Sequence, residues 1–275
     1  MIKIDRNKCI RCGACVRDCI VGILKPDADG FPVLASDLAK SCLNCQHCLA
    51  VCPQGAVKCH GVKPEQCADI GPLPEPARMF NLLRQRRSIR QFEDENLPPD
   101  VLAQLKASLA WSPTGCNDHR LFFAMIEDKA EMEFFRSEMT RVLKLLIRTG
   151  LMRLVYPGYK RYAQDIFNGR DIIFRHAPHM IIAATPKNAM CKEADPWIAL
   201  SYFDLFAQSF GVGTCWCGFG LYSFRWNRKI RRRLNLPPGY KVGAVMLFGK
   251  PAVRYARATQ PRQYGFSNDG LVQPD

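Results

Sequence analysis

The segment Cys42-Leu43-Asn44-Cys45-Gln46-His47-Cys48-Leu49-Ala50-Val51-Cys52-Pro53 constrains this chain more than any other. It sets four thiols at C-x2-C-x2-C-x3-C spacing and closes them with proline, which is the ligand run of bacterial iron–sulfur centres. A second copy stands upstream at Cys9, Cys12, Cys15 and Cys19, with Ile20 in place of the proline. The first sixty residues therefore carry thiolate ligands for two 4Fe-4S clusters. Structural zinc sites also use C-x2-C pairs, but a C-x2-C-x2-C triplet plus a fourth thiol, twice over, is more than zinc asks for.

Composition sets the frame around these runs. A chain of 275 residues, 48% of them apolar, can bury one large core beside a small metal-stapled domain. Fourteen cysteines would suit a secreted disulfide scaffold, yet the start Met1 to Cys9 has no apolar signal-peptide core, so a reducing cytoplasm is expected. No apolar run reaches the ~18 uncharged residues of a membrane span. The longest, near Trp197 to Trp216, contains Asp204 and Gln208, so no membrane association is expected. The formal charge of +14 falls to about +10 once two oxidised clusters and eight thiolates contribute about −4. Such a balance suits acidic partners or anionic substrates.

Between the cysteine runs, Lys25 to Leu34 reads as a turn and strand from its Pro, Asp and Gly residues, making an internal repeat of about thirty residues. The segment resembles the two-cluster bacterial ferredoxin fold. That resemblance implies crossed ligation: Cys9, Cys12, Cys15 and Cys52 on one cluster, and Cys42, Cys45, Cys48 and Cys19 on the other. Residues 61–77, with Pro64, Pro72, Pro74 and Pro76, read as a stiff linker. Cys59 and Cys67 lie outside both runs and are taken as free thiols.

Residues 78–275 carry the pattern of an α+β domain. Helices are expected over 100–110, 131–148 and 196–211, the last apolar around its whole circumference and so expected to be buried throughout. A further helix is expected over 224–236, with Arg225, Arg228, Lys229, Arg231, Arg232 and Arg233 forming a solvated face or an acidic partner's docking patch. Strands are expected over 121–126, 177–184 and 242–248. A helix within 156–174 is expected to cap a pocket, its aromatic and basic residues offering a weaker nucleic-acid reading. His176 and His179 lack ligand partners at metal spacing and are read as structural.

Three stretches carry more specific chemistry. Arg86-Arg87-Ser88-Ile89-Arg90-Gln91-Phe92 packs three guanidiniums and a hydroxyl into five residues, a set that suits a phosphate. The loop Ser112-Pro113-Thr114-Gly115-Cys116-Asn117 follows, and later Gly211-Val212-Gly213-Thr214 leads to Trp216, Gly218 and Phe219. In this order and spacing, residues 78–250 resemble the nitroreductase superfamily of flavin enzymes.

The resemblance implies a homodimer with FMN at the subunit interface. Arg86, Arg87 and Ser88 would hold the phosphate and ribityl chain, and Arg90 the N1/O2 edge of the ring. Pro113, Thr114 and Gly115 would line the flavin from the other subunit, and Asn117 would bond the pyrimidine edge. Arg254 or Arg257 would complete the phosphate site. The backbone at Cys217 and Gly218 would meet N5 and O4, and the tail to Asp275 would wrap the partner. Cys217 replaces the superfamily's acidic residue, while His119 and Arg120 replace its glutamine and proline. His119 and Cys217 are therefore the candidates for a catalytic role. Cys116, Cys215 and Cys217 suit small buried hydrophobes better than redox thiols, and Cys191 has no assigned role.

The expected function is FMN-dependent reduction of a small unsaturated or aromatic compound of nitro, quinone or enone type, with electrons delivered through the clusters. No G-x-G-x-x-G follows an expected strand, which leaves NAD(P)H stacking on the flavin open. The alternative is an electron-transfer flavoprotein that serves a docked acidic protein, such as a ferredoxin or flavodoxin. The flavin motifs argue against a nucleic-acid binder.

Overall fold

A computed structural model describes residues 1–35, 38–155, 158 and 160–260. Of the expectations above, the tail beyond residue 260, residues 156, 157 and 159, and the side chain of Arg225 lie outside the described residues.

The N-terminal part is built from two like halves. Strand β1 (Lys3–Ile4) is followed by helix α1 (Ala14–Arg17), then by the hairpin of β2 (Leu24–Pro26) and β3 (Pro32–Leu34), helix α2 (His47–Ala50) and strand β4 (Val57–Lys58). Strand β1 pairs antiparallel with β4, joining the first and last elements. Each helix begins one step after a left-handed residue, Gly13 before α1 and Gln46 before α2. Ile2, Ile23, Leu24, Leu49 and Val57 form a core with Cys15, Cys48 and Cys59. A core of this size is marginal for about sixty residues, the regime in which small domains commonly gain stability from disulfides, metal or association.

An exposed stretch with a 3-10 turn at Pro64–Gln66 leads to helix α3 (Pro76–Gln85), which begins at a proline suited to the first helical turn. Then come α4 (Pro99–Ser108), β5 (Phe122–Ile126), α5 (Lys129–Arg148), α6 (Met152–Val155) and α7 (Lys160–Phe167). The chain continues through β6 (His179–Pro186), α8 (Asp195–Ser209), β7 (Gly213–Trp216), α9 (Gly218–Trp226), α10 (Arg228–Arg233) and β8 (Tyr240–Gly249). The strands form one antiparallel sheet in the order β5-β6-β8-β7. Every residue of β6 is buried, because helices cover both faces of the sheet. Met132, Phe135, Phe224 and Ile230 pack on one face, and Leu102, Leu105, Leu200 and Phe203 on the other. Gly243 lets α8 approach closely, since a Cβ there would meet Pro196 at 2.4 Å.

Two elements differ from the sequence reading. The helix expected over 224–236 is two helices, because the Asn227 side chain accepts from the amides of Lys229 and Ile230 (3.0 and 3.1 Å) and so caps a new start. Helix α8 is buried along one side only. Leu200, Phe203 and Ala207 are fully buried, whereas Trp197, Ile198, Tyr202, Phe206 and Phe210 are exposed. One sheet can cover one side of a helix, so the remaining apolar stripe is left bare. It is joined by Met79, Phe80 and Leu83 of α3, and an apolar surface of this kind marks an interaction site.

Glu138 of α5 anchors the basic helix. Its carboxylate is 4% exposed and accepts from Arg141 (2.7 Å), Lys229 (3.1 Å) and Asn227 (3.3 Å). The Arg141 bonds first, with those from Lys229 and Asn227 and against the opposing effect of burial, hold its pKa at about 2 rather than 4.5. A depressed carboxylate contributes stability above its unfolded pKa and loses it as pH falls through its folded one. Glu138→Gln should cost about 2 kcal/mol and lower Tm by roughly 4–8 °C at pH 7. Thermal scans should show the gap to the parent protein closing as pH falls from 4.5 toward 2; a gap independent of pH would exclude the ion pairs as its source.

Candidate functional site

Both cysteine runs fold around hollows. One hollow is lined by Cys19, Cys42, Cys45, Cys48 and Cys59 together with Leu43. The other is lined by Cys9, Cys12, Cys15 and Cys52. Each hollow thus takes its fourth thiol from the opposite run. In both, the second and fourth residues after the first cysteine are left-handed, namely Arg11 and Gly13 in one and Asn44 and Gln46 in the other. This alternation curls the backbone round a centre and turns amides inward, the geometry of an anion-binding nest. All fourteen cysteines are free thiols. Burial, followed by the neighbouring Cys59, pushes Cys48 up to about 12, and burial, followed by Cys52, raises Cys15. Paired metal is what lets such buried thiols ionise. The sulfur donors that line each hollow are thiols alone, a donor set that fits a thiolate-ringed cluster. Cys59 is the surprise: nothing in the spacing placed it, yet it lines the first hollow. Cys67 is exposed.

The segment Arg86 to Arg90 lies along the edge strand. Ser88 pairs in parallel with Thr214, and Ile89 donates its amide to Thr214 (2.8 Å). Gly213 makes the approach possible, since a Cβ there would stand 2.5 Å from Ile89. An extended chain sends alternate side chains to opposite faces, so the arginines separate. Arg86 reaches the buried Asp204 on α8 (3.5 Å), which Thr214 also bonds. Arg87 lies over the ring of Tyr255 (4.6 Å) and lines an open hollow with Arg84, Arg254 and Arg257. Pairing of Gln91, Phe92 and Glu93 with Lys250, Pro251 and Ala252 brings the two stretches together. Ser88 and Arg90 turn toward Cys215. Burial raises that thiol, opposed by the Arg175 and Arg90 guanidiniums and the Ser88 hydroxyl. Arg84, Arg175 and Tyr255 went unremarked in the sequence because none belongs to a local motif.

Pro113 and Thr114 precede a tight turn at Gly115–Asn117. The Gly115 amide donates to buried Asp195 (3.0 Å), and its missing Cβ makes room for Cys191, whose sulfur would lie 2.3 Å away. The Asn117 amide group donates to the carbonyls of Leu43 and Asn44, both at 3.1 Å, while its oxygen meets His119 Nε2 at 2.8 Å. Arg120 pairs with Asp118 and bonds Asn188 (3.2 Å). The loop sits at Asp195 and the Arg86 segment at Asp204. Nine residues of α8 separate them, about 13 Å along the helix.

Cys217 turns inward. Its thiol faces the Ile173 carbonyl (3.6 Å) within the core, and burial pushes it up to about 12. Its amide is committed to Val245 (3.0 Å). Gly218, exposed at the start of α9, leaves its own amide at a helix terminus, where no intrahelical acceptor exists. His179 is structural: buried and stacked on Phe248, it accepts the Leu97 amide (2.9 Å), and burial lowers its pKa to about 4.

Comparison with known proteins gives this geometry a family. Residues 83–250 match the nitroreductase family and residues 8–56 the 4Fe-4S dicluster domain. The chain therefore belongs to the nitroreductase family of oxidoreductases and carries a 4Fe-4S domain ahead of it. An iodotyrosine deiodinase from Thermotoga neapolitana is 22% identical over 175 residues, 63% of this chain and 88% of that one. A nitroreductase with bound FMN from Bacteroides fragilis shares 17% identity at a TM-score of 0.52, over 71% of this chain and 98% of that one. A nitroreductase with bound FMN from Desulfitobacterium hafniense shares 20% at 0.54, over 69% and 98%. Among the described residues, no helix is long and apolar enough to cross a membrane.

Alkylation of the native protein followed by mass spectrometry should modify exposed Cys67 within minutes and leave Cys217 unmodified until the protein is denatured. Equal labelling would mean that the Cys217 thiol is an accessible, reactive group.

Proposed function

We propose that this protein is an FMN-dependent oxidoreductase in which two 4Fe-4S clusters, held by residues 1–60, feed a flavin site in residues 78–275 across the linker 61–77. The observation that carries this reading is the direct boundary between the two parts: the loop bearing Cys42 and Cys45 lies hydrogen-bonded against the loop of Asn117. Cys9, Cys12, Cys15 and Cys52 would ligate one cluster, and Cys19, Cys42, Cys45 and Cys48 the other. FMN, when bound, supplies the conversion between single electrons and hydride.

The residues present fit that cofactor. Arg87, Arg254 and Arg257 surround a hollow suited to a phosphate, and Ser88 and Arg90 continue from it along the edge of β7. The free amide of Gly218 suits a ring acceptor at a helix start. The loop 113–119 and the segment 86–90 stand apart on one copy of α8, and the bare stripe of α8 and α3 calls for a covering surface. A homodimer supplies both, with each flavin site drawing one loop from each copy. The substrate would be a small planar unsaturated or aromatic compound of nitro, quinone or enone type, able to stack on the ring.

Anaerobically purified protein should contain about eight iron atoms and one FMN per chain, and its dithionite-reduced form should be reoxidised by at least one member of a panel of nitroaromatics, quinones, enones and halogenated phenols. A panel that leaves the reduced flavin untouched would overturn the reductase reading. Arg87→Gln combined with Arg254→Gln should weaken FMN binding by about tenfold or more, as expected when charge-assisted phosphate bonds are removed.

A second reading is an electron-transfer flavoprotein serving an acidic partner. It draws on Arg228, Arg231 and Arg232, which border an open cleft with Pro237, Pro238 and Tyr240. Transfer to such a partner should slow steeply with ionic strength, whereas turnover of a neutral small molecule should hold constant.

A further inference from the structure

Resemblance to flavin enzymes casts Asn117 as a flavin ligand, yet both ends of its amide are committed within the chain. Its nitrogen serves the carbonyls of Leu43 and Asn44, the two residues between Cys42 and Cys45. Two carbonyl acceptors demand the NH2 end, so the oxygen is left to accept from a proton on His119 Nε2. The His119 amide in turn donates to the Thr114 hydroxyl (2.9 Å), and Asn117 N to the Thr114 carbonyl (3.0 Å).

Beneath this, Gly115 is tied to buried Asp195 at the start of α8. Cys116, Asn117 and His119 all sit in the left-handed region, at φ of 53°, 54° and 46°. Side chains adopt that conformation at a cost, and three so close together persist only when the surroundings hold them. The described hydrogen bonds between residues 1–60 and residues 78–260 are both made by this one amide. Leu43 also lines the hollow ringed by Cys19, Cys42, Cys45 and Cys48, and it is absent from the lining of the other.

We propose that Asn117 is a positioning residue that clamps the Cys42–Cys45 loop to the catalytic domain, making the centre ringed by Cys19, Cys42, Cys45 and Cys48 the inner one, which exchanges electrons with the flavin site. The centre ringed by Cys9, Cys12, Cys15 and Cys52 is then the outer one, which meets the donor. The inference rests on the function proposed above. With the cofactors bound, Cys9, Cys12, Cys15 and Cys52 would hold the centre that takes single electrons from a low-potential donor, and Cys19, Cys42, Cys45 and Cys48 the one that hands them on; two such electrons with one solvent proton would reduce one FMN to its anionic two-electron form and leave both centres oxidised again. Electrons tunnel over short gaps only, so the clamp would set the rate by holding the last gap constant.

The test uses the full chain with its iron and flavin, as the parent protein and as Asn117→Ala and Asn117→Asp. Removing both bonds should speed hydrogen exchange of amides 42–48 by about tenfold. Flavin bleaching after anaerobic mixing with dithionite, read per bound flavin, should slow at least tenfold, while cluster bleaching and iron content stay at parent levels. Asn117→Asp, which places a carboxylate beside one centre, should lower one of the two cluster midpoint potentials and leave the other unchanged. Unaltered exchange in 42–48 would overturn the clamp, as would unaltered flavin bleaching. Loss of flavin with exchange unchanged would return Asn117 to the role of a flavin ligand. If the parent protein holds no flavin, the function proposed above fails, while the exchange measurement still reads the clamp.

Discussion

The small N-terminal domain depends on a crossing of two short chain segments. Each cysteine run supplies three thiols to one hollow and sends its fourth to the other, so neither half of the small domain can close without its sibling. The apolar core between them is small, so the crossing of the runs carries much of the order of this domain. The position of the Cys42–Cys45 loop is thus tied to the hollow that it lines together with Cys19 of the other run. The contact this loop makes with the larger domain inherits that dependence.

The larger domain solves an ordinary packing problem and leaves part of it unfinished. A central strand buried at every position needs helices on both faces, and α8 supplies one of them through Leu200, Phe203 and Ala207. The same helix holds Asp195 and Asp204, both buried, each fastening a different stretch of the candidate site. Its opposite side is bare and aromatic. A helix that organises two half-sites and presents an uncovered apolar stripe is suited to join a second copy, so that assembly and site completion become one event.

What the sequence disclosed follows from the range of the interactions involved. The cysteine runs were legible because ligand spacing is local, and β5, β6, β8 and α5 because their hydrophobic periods are long and regular. The break at Asn227 was missed because one side chain's capping bonds outweigh an apolar pattern that would have run on. The one-sided burial of α8 was missed because apolar residues all round a helix look the same whether a sheet or a second chain covers them. Cys59 joins a hollow, and Asn117 reaches a cysteine loop, only through contacts between residues distant along the chain. The inward direction of Cys217 likewise rests on a contact with the distant Ile173 carbonyl, which no local motif carries.

The central claim is that the two parts form one electrical unit. An anaerobic equilibrium titration of the purified protein with sub-stoichiometric dithionite, followed by optical and paramagnetic spectra on one sample, tests it directly. Electrons entering at the clusters should be found on the flavin within the mixing time, in proportion to the relative potentials of the centres. Clusters that stay reduced for minutes beside a fully oxidised flavin of higher potential would contradict the account.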